Sequence, residues 1–389
     1  MKRANSLPPL LVLVMLLLSA PAARGQKTAP TFPVDLGVPV APTPFKANGK
    51  THLVYELHVT SFRAGELLLS RVEVFDDGAG AAAPLASYEE KELDNVLARP
   101  ATGPSLANKR LIGAGMRAVV YLWLTFDSAA VPARLRHRLT FRIPNAASGE
   151  DKIVEGGRVN VRREAPVVIG PPVRGEGWVA RFNGSTSFHR RTLMVVNGQA
   201  VISQRFATDW GKYGDGWKYL RAGDGSKNSD FYIYGEPLIA VADAVVAGVK
   251  DDLPENDPSS TTPAVPVSFE TAAGNHVVLD LGQGRYALYA HMQPRSVRVK
   301  VGERVRRGQL LGLIGNSGNA VGPHLHFQIS DSAVPLAGEG LPFVIDSFEL
   351  LGVESPQGFQ TLDWKPDPSF KAEKRRLEMP IDSAVVRFP

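Results

Sequence analysis

Short runs of alternating apolar and polar residues recur along this chain, and this pattern most narrows the folds that it can adopt. A strand directs successive side chains to opposite faces, so alternation is typical of strands with one buried face. Helical periodicity is scarce, and the 37 glycines and 30 prolines among 389 residues exceed the usual combined share of about 12%. The sequence therefore predicts an all-β fold rich in turns. The clearest early runs are Thr51–Thr60, Leu67–Phe75, Arg117–Phe126 and Leu135–Ile143.

The runs fall into two groups, which predict two domains. Several short strands within residues 51–165 favour an N-terminal immunoglobulin-like β-sandwich. Residues 173–352 carry a second set of β-rich runs bounded by Gly, Pro and Asn, and form the second predicted domain. Residues 353–389 are expected to form a polar C-terminal tail with one late strand at Ala384–Phe388.

The N-terminus has the pattern of a secretory signal peptide. Lys2 and Arg3 precede an apolar run that ends at Leu18, and small residues follow it. The run is shorter than the roughly 18 residues that a membrane-spanning helix needs. We therefore expect residues 1–25 to be a signal peptide and residues 26–50 an extended lead-in. The mature protein is expected to be secreted or periplasmic, in a bacterial cell envelope, without a transmembrane anchor.

Composition limits the chemistry. The chain has no cysteine, which excludes disulfides, cysteine nucleophiles and thiolate metal sites, so a bound metal would need His, Asp or Glu ligands. Its 44 basic and 39 acidic residues are interspersed and give a net charge of only +5. No basic surface is indicated, and we expect no nucleic-acid partner.

Five of the eight histidines lie between His189 and His326. On a strand, residues two apart share a face, so His324 and His326 point to one side while Leu325 points to the other. Two imidazoles side by side on a strand, with His291 on another strand, favour a metal or acid–base site over a chance pair.

A family resemblance, whose order and spacing match over most of residues 200 to 330, rests on four motifs: Asn275–His291, Val299–Gln309, Gly312–Gly318 and Gly322–Phe327. In their order and spacing they closely resemble the lysostaphin-type, LytM-like zinc endopeptidases. The resemblance implies a LytM-type (duplicated hybrid motif) peptidase domain, one Zn²⁺ ion, and hydrolysis of peptide bonds in bacterial peptidoglycan.

The resemblance also implies roles for particular residues. Asp209 and His326 match two zinc ligands of the family. His291 and His324 match the two histidines that do not bind the metal but position the water and stabilise the tetrahedral intermediate. These would be the catalytic residues.

One position departs from the family pattern, which has a histidine ligand four residues before the aspartate. This chain has Arg205 there, and a guanidinium offers no lone pair to a metal. Three explanations stay open: His189 supplies the third ligand, the site binds no metal, or His276 supplies it. We place them in that order, because a strand reversal at Asn197-Gly198 could bring His189 back to the site.

Two classes of function follow. The first is an exported zinc endopeptidase that cuts peptidoglycan peptides. The alternative is a zinc-free relative that binds peptidoglycan or activates a partner cell-wall hydrolase, which the arginine at position 205 would explain. A third interpretation makes the N-terminal domain the principal binding module.

Overall fold

A computed structural model describes residues 32–78, 83–100, 108–145 and 149–389. The predicted signal peptide, residues 1–25, lies outside the described residues, as does the first part of the lead-in. Within the described ranges, no helix has both the length and the apolar character needed to cross a bilayer.

The described residues are built mainly of strands, which confirms the predicted all-β class. Their two α-helices are short, α1 at Glu90–Val96 and α2 at Pro356–Thr361. Single 3-10 turns occur at His189–Arg191, Asp215–Trp217 and Asn228–Asp230.

The first ten strands form two five-stranded antiparallel sheets, which we call the N-terminal sheets. The first has the order β1-β3-β8-β6, with β2 also paired to β3, and the second has the order β10-β9-β4-β5, with β7 also paired to β4. The strands are β1 (Val34–Gly37), β2 (Phe45–Ala47), β3 (Lys50–Ser61), β4 (Leu67–Asp76), β5 (Ala86–Glu89), β6 (Leu97–Ala98), β7 (Leu111–Ile112), β8 (Arg117–Phe126), β9 (Arg134–Arg142) and β10 (Lys152–Asn160).

A buried hydrogen bond joins the two N-terminal sheets. The hydroxyl of Tyr55 on β3 donates to Nε2 of His137 on β9 over 2.8 Å, among buried side chains such as Leu57 and Leu139. The sheets thus share one core, while the immunoglobulin-like assignment stays a prediction.

Two short strands lie in the segment for which the sequence indicated an extended lead-in. Strand β1 pairs with β3 from Val34 opposite Ser61 to Gly37 opposite His58, and β2 pairs with the beginning of β3. Strands of three and four residues are too short to show periodicity in a sequence, so only their pairing partner reveals them.

The remaining strands build a ten-stranded sheet and three two-stranded ones. The large sheet has the order β20-β17-β18-β19-β22-β15-β12-β26-β24-β25, and the pairs are β11–β23, β13–β14 and β16–β21. The strands are β11 (Val167–Ile169), β12 (Gly175–Arg181), β13 (Met194–Val196), β14 (Gln199–Val201), β15 (Thr208–Lys212), β16 (Pro237–Ile239), β17 (Ala244–Lys250), β18 (Asn275–Asp280), β19 (Tyr286–Met292), β20 (Arg304–Val305), β21 (Leu310–Leu313), β22 (Leu325–Ser330), β23 (Phe343–Ile345), β24 (Phe348–Val353), β25 (Glu373–Arg375) and β26 (Ala384–Phe388).

Two hairpins and the C-terminal strand belong to these sheets. Strands β18 and β19, which carry His276 and His291, form an antiparallel hairpin. At Asn197 and Gly198, positive φ angles of 50° and 79° reverse the chain between β13 and β14, as a two-residue hairpin turn requires. The late strand predicted in the tail, β26, docks between β12 and β24, where Val385 and Val386 are buried.

Candidate metal centre

Strand pairing brings Asp209 and His326 together. Asp209 on β15 lies directly opposite His326 on β22, and Nδ1 of His326 is 2.9 Å from the Asp209 carboxylate. On the other side of β22, His326 lies opposite Ala290 of β19. His291 therefore follows immediately at the same end of the sheet.

The 3-10 turn after β12 adds His189 to this pair. Its side chain is buried, with Nε2 3.5 Å from the Asp209 carboxylate. The rings of His189 and His326 are 5.0 Å apart. Ligand atoms of His189, Asp209 and His326 all lie within 4.8 Å of one another. The structure thus places beside Asp209 the histidine that the sequence ranked first as third ligand.

Hydrogen bonds on the far side of each ring set which nitrogen faces the cluster. Nδ1 of His189 donates to the carbonyl of Phe182 over 3.0 Å, and Nε2 of His326 donates to Oε1 of Gln328 over 3.0 Å. The Gln328 amide is itself fixed, because its Nε2 donates to the Ser203 hydroxyl over 2.8 Å. The remaining nitrogens, Nε2 of His189 and Nδ1 of His326, face Asp209. Such outer hydrogen bonds orient histidine ligands in metal sites.

His291 and His324 lie beside the cluster with their rings 4.7 Å apart. Each donates Nδ1–H to a backbone carbonyl, His291 to Ser317 over 2.8 Å and His324 to Gly322 over 2.9 Å. Nε2 of His324 is 3.8 Å from the Asp209 carboxylate. His291 has a φ of 65°, a left-handed conformation uncommon for a residue with a side chain and often found at functional sites. These two hydrogen bonds leave Nε2 of each ring as the nitrogen not bonded to the backbone.

The environment favours an ionised Asp209 carboxylate beside neutral His189 and His291 rings. Burial lowers the pKa of His189 to about 4 against the opposing charge of Asp209. Burial also lowers the pKa of His291 well below its ordinary value, helped by His324 and His326. For Asp209, burial would raise the pKa, but the neighbouring histidines outweigh it and hold the pKa well below the usual range.

His326 is the exception among these rings. Burial opposes its charge, but the hydrogen bond to Asp209, the charge of Asp209 and the hydrogen bond to Gln328 together outweigh burial and raise the pKa of His326. A cation that binds through Nδ1 of His326 would compete with a proton for that nitrogen. An anionic oxygen and two imidazole lone pairs are donors that Zn²⁺ accepts in catalytic sites with three protein ligands. The residues present thus fit the zinc ion that the resemblance implies.

Arg205 contacts a different part of the molecule. Its buried guanidinium lies 2.9 Å from Glu56 on β3 and 2.7 Å from Glu339, and donates to the carbonyl of Gly340. Two carboxylates thus neutralise the arginine. His276, the third explanation, donates Nδ1–H to the carbonyl of Gly274 and is not among the clustered ligand atoms.

A cavity of about 720 Å³ opens onto the cluster. Its lining contains the five residues assigned from sequence, His189, Asp209, His291, His324 and His326. Three exposed aromatic rings also line it, Phe182, Phe188 and Phe359. A chain segment of another molecule could therefore reach the clustered side chains.

Gln328 and the carbonyl of Phe182 were not among the site residues predicted from the sequence. Gln328 lies two residues after His326 on β22, so the alternation that grouped His324 with His326 also placed it on their face. The sequence therefore contained a pattern that could have identified Gln328. The Phe182 carbonyl is a backbone contact within a loop, and no side-chain pattern predicts it.

The fold and the site together describe a β-rich protein in which a buried His–Asp–His cluster lines a cavity. Residues 229–337 match Peptidase family M23. The chain therefore contains a peptidase M23 domain. The matched segment includes His291, His324 and His326, whereas His189 and Asp209 precede it.

Relatives match over short segments only. The peptidoglycan DD-endopeptidase ShyA of Vibrio cholerae is 44% identical over 57 residues, which cover 15% of this chain and 13% of the relative. ShyC of the same organism is 39% identical over 61 residues, covering 16% and 14%. An uncharacterized metalloprotease of Haemophilus influenzae is 31% identical over 104 residues, covering 26% and 18%. The chain thus spans less than a fifth of the length of each of these relatives.

Solved structures with some likeness include two peptidases. The catalytic domain of lysostaphin from Staphylococcus simulans has 23% identity and a TM-score of 0.21, covering 33% of this chain and 88% of that domain. A putative peptidase M23 from Pseudomonas aeruginosa has 16% identity and a TM-score of 0.21, covering 71% and 87%.

Proposed function

We propose that this protein is an exported zinc-dependent endopeptidase that hydrolyses peptide bonds in bacterial peptidoglycan. The observation that carries the proposal is the cluster of His189, Asp209 and His326, whose ligand atoms lie within 4.8 Å of one another at a cavity. The peptidase M23 match supports the reaction class. The names of the Vibrio cholerae relatives support peptidoglycan peptides as the substrate.

In this proposal His189, Asp209 and His326 hold one Zn²⁺ ion. Bound zinc supplies a Lewis acid and lowers the pKa of a coordinated water toward neutrality. The chain contributes an ionised Asp209 and ring nitrogens that Phe182 and Gln328 orient. Because these groups are already in place, little reorganisation accompanies the reaction.

His291 and His324 serve as the catalytic histidines. Their Nδ1–H groups are held by backbone carbonyls, so each ring presents Nε2 to the cavity. A neutral imidazole in this state can accept a proton from a water and then donate a hydrogen bond to a developing oxyanion. Two adjacent rings allow these tasks to be divided.

The proposed location is the bacterial cell envelope. The N-terminal pattern of a signal peptide supports export, and peptidoglycan lies outside the cytoplasm. The interspersed charge gives no reason to expect a nucleic-acid partner. Activation of a partner hydrolase belongs to the alternative, metal-free function.

Zinc content and cleavage of purified sacculi, measured together, test the proposal. We expect about one zinc per chain and release of peptides, both lost in Asp209→Asn, which keeps the shape of the side chain. Asp252→Asn, the same change at an exposed carboxylate paired with Lys250, is the matched control and should retain both. Sacculi that are bound but not cut by a zinc-free protein would overturn the proposal and favour the peptidoglycan-binding alternative.

A further inference from the structure

The turn that carries His189 is attached to the N-terminal sheets by the next residue, Arg190. The Arg190 side chain is 1% exposed. Its Nη2 donates to the carbonyl of Leu122 on β8 over 3.0 Å, and its Nη1 donates to the carbonyl of Ser185 over 2.8 Å. The side chains of two consecutive residues therefore contact different parts of the molecule. The His189 ring faces Asp209, and the Arg190 guanidinium contacts the first N-terminal sheet.

The surface that receives Arg190 is itself fixed. The guanidinium lies 5.0 Å from the ring centre of Trp123 on β8, a cation–π arrangement. The Trp123 indole donates to Nδ1 of His52 over 2.9 Å, and Nε2 of His52 donates to the carbonyl of Ala47 over 3.0 Å. A continuous set of contacts thus runs from β2 through β3 and β8 to the turn.

Burying this guanidinium has a cost. Within the described ranges Arg190 has no ion pair closer than 4.0 Å, and its Nε has no hydrogen-bond partner. Burial lowers the pKa of Arg190 to about 10, because the nearby charge of Glu56 offsets only part of the effect of burial. The guanidinium therefore stays charged at neutral pH. An apolar side chain at this position would avoid the free-energy cost of removing a charge from water. What the arginine adds is directional bonding to two carbonyls.

The neighbouring Arg191 makes a second attachment on the same side. It donates to the carbonyl of Asn95 and lies 5.8 Å from the ring of Tyr121 on β8. The turn His189–Arg191 has only three residues, too few to hold a fixed orientation by its own backbone hydrogen bonds. Besides the hydrogen bonds of His189 to Ser187 and Phe182, the contacts of the two arginines therefore fix its orientation.

We propose that Arg190 is a positioning residue of the metal centre, through which the N-terminal sheets hold His189 beside Asp209. This inference rests on the proposed function, in which His189 is a zinc ligand. Without the contacts to Leu122 and Trp123 the turn loses its fixed point, and only Asp209 and His326 stay in register through β15 and β22. The N-terminal sheets are then part of the metal site rather than an independent module.

Zinc affinity of the full chain, measured by competition with a chelator, tests this. Arg190→Met keeps the length but removes the donors, and we expect zinc to bind roughly 10- to 100-fold more weakly, as when an outer partner of a ligand is lost. Arg190→Lys, which keeps one donor group, should bind zinc with an affinity between those of wild type and Arg190→Met. Arg142→Met, at an exposed ion pair on β9, is the matched control and should bind like wild type. Combined with His189→Ala, Arg190→Met should add little, because both changes remove the same ligand.

A structural role alone would give a different result. If Arg190→Met lowers the melting temperature but leaves zinc affinity unchanged, the inference is wrong while the proposed function stands. If Arg190→Met does not fold, the same comparison is made with Arg190→Lys.

A readout that needs no metal separates the two proposals. In wild type, nitrogen-15 NMR of the imidazoles should show a protected Nδ1–H on His189, bonded to the Phe182 carbonyl, and this signal should be lost in Arg190→Met. If wild type binds no zinc, the proposed function fails, and the His189 signal still decides whether Arg190 positions the ring. A signal unchanged in Arg190→Met would overturn the inference.

Discussion

Arg205 and Glu56 form a buried ion pair that joins the loop before β15 to strand β3. Nη2 of Arg205 lies 2.9 Å from Oε2 of Glu56, and both side chains are 3% exposed. Arg205 stands four residues before Asp209, where the resembled family has a metal ligand. Here the same position serves as a contact between the loop before β15 and the N-terminal sheets, and His189 lies beside Asp209 instead.

Breaking this ion pair is expected to destabilise the fold. Removing one partner of a buried pair leaves an uncompensated charge and costs about 3 to 5 kcal/mol. Glu339 remains beside Arg205, so we expect the lower end, about 3 kcal/mol, for Glu56→Gln in urea unfolding. Asp151→Asn, which breaks the exposed Arg142 pair, should cost under about 1 kcal/mol. Equal losses in the two variants would contradict the prediction.

The strand patterns predicted the parts of the site that depend on local periodicity. Alternation with a period of two placed His324 and His326 on one face. In the structure His326 lies on β22 and His324 immediately precedes that strand, and both rings lie beside the Asp209 carboxylate. The roles of Asp209 and His291 came from the family resemblance, and strand pairing brings both to that end of the sheet.

The contacts that hold the site could not be predicted in this way. Arg190 meets Leu122, 68 residues away in sequence, and Arg205 meets Glu56 at a separation of 149. Periodicity contains no information about which distant carbonyl or carboxylate a buried arginine will reach.

The third ligand can be identified by substitution. His189→Ala should weaken zinc binding by at least about 100-fold, because a direct ligand contributes more than the outer contacts whose loss costs 10- to 100-fold. His276→Ala is the matched control, since His276 bonds to Gly274 and lies outside the cluster. Isothermal titration of the metal-free protein measures both. Loss of binding in His276→Ala alone would reverse the order of the two candidates.

Gln328 should act on the metal through His326. Its Oε1 accepts from His326 Nε2, which keeps Nδ1 available to a cation. Gln328→Leu removes this acceptor at similar volume, and we expect zinc affinity to fall about 10- to 100-fold. Ser203→Ala removes only the next bond in the series and should have a smaller effect. Chelator competition compares the variants, and an unchanged affinity in Gln328→Leu would exclude this role.

Substitution of His291 should affect catalysis and leave metal binding intact. The His291 ring is not one of the clustered donors, so His291→Ala should retain zinc. Losing an acid–base or oxyanion contact typically lowers kcat by about 10²- to 10⁴-fold. The comparison of zinc content with the rate of peptide release makes the distinction, and zinc loss in His291→Ala would assign this ring to the metal instead.

His137 is expected to make stability depend on pH, at a place far from the metal centre. It is fully buried between Tyr55 and the carbonyl of Gly157, and burial lowers its pKa from 6.5 to about 4. Between these values the unfolded chain binds more protons than the folded one, so the free energy of unfolding decreases as pH falls from 6.5 to 4. The shift corresponds to a contribution of roughly 3 kcal/mol, present above pH 6.5 and lost toward pH 4.

A variant without a titratable group at position 137, compared with wild type, tests this pH dependence. His137→Gln keeps polar atoms for Tyr55 and Gly157 but does not titrate. The variant should be less stable than wild type at pH 7.5, and the gap should narrow by roughly 3 kcal/mol at pH 4. Urea unfolding of both proteins across this range tests the sign as well as the size, since the other buried histidines contribute equally to both profiles. Parallel profiles would mean that His137 is protonated alike in the folded and unfolded chains.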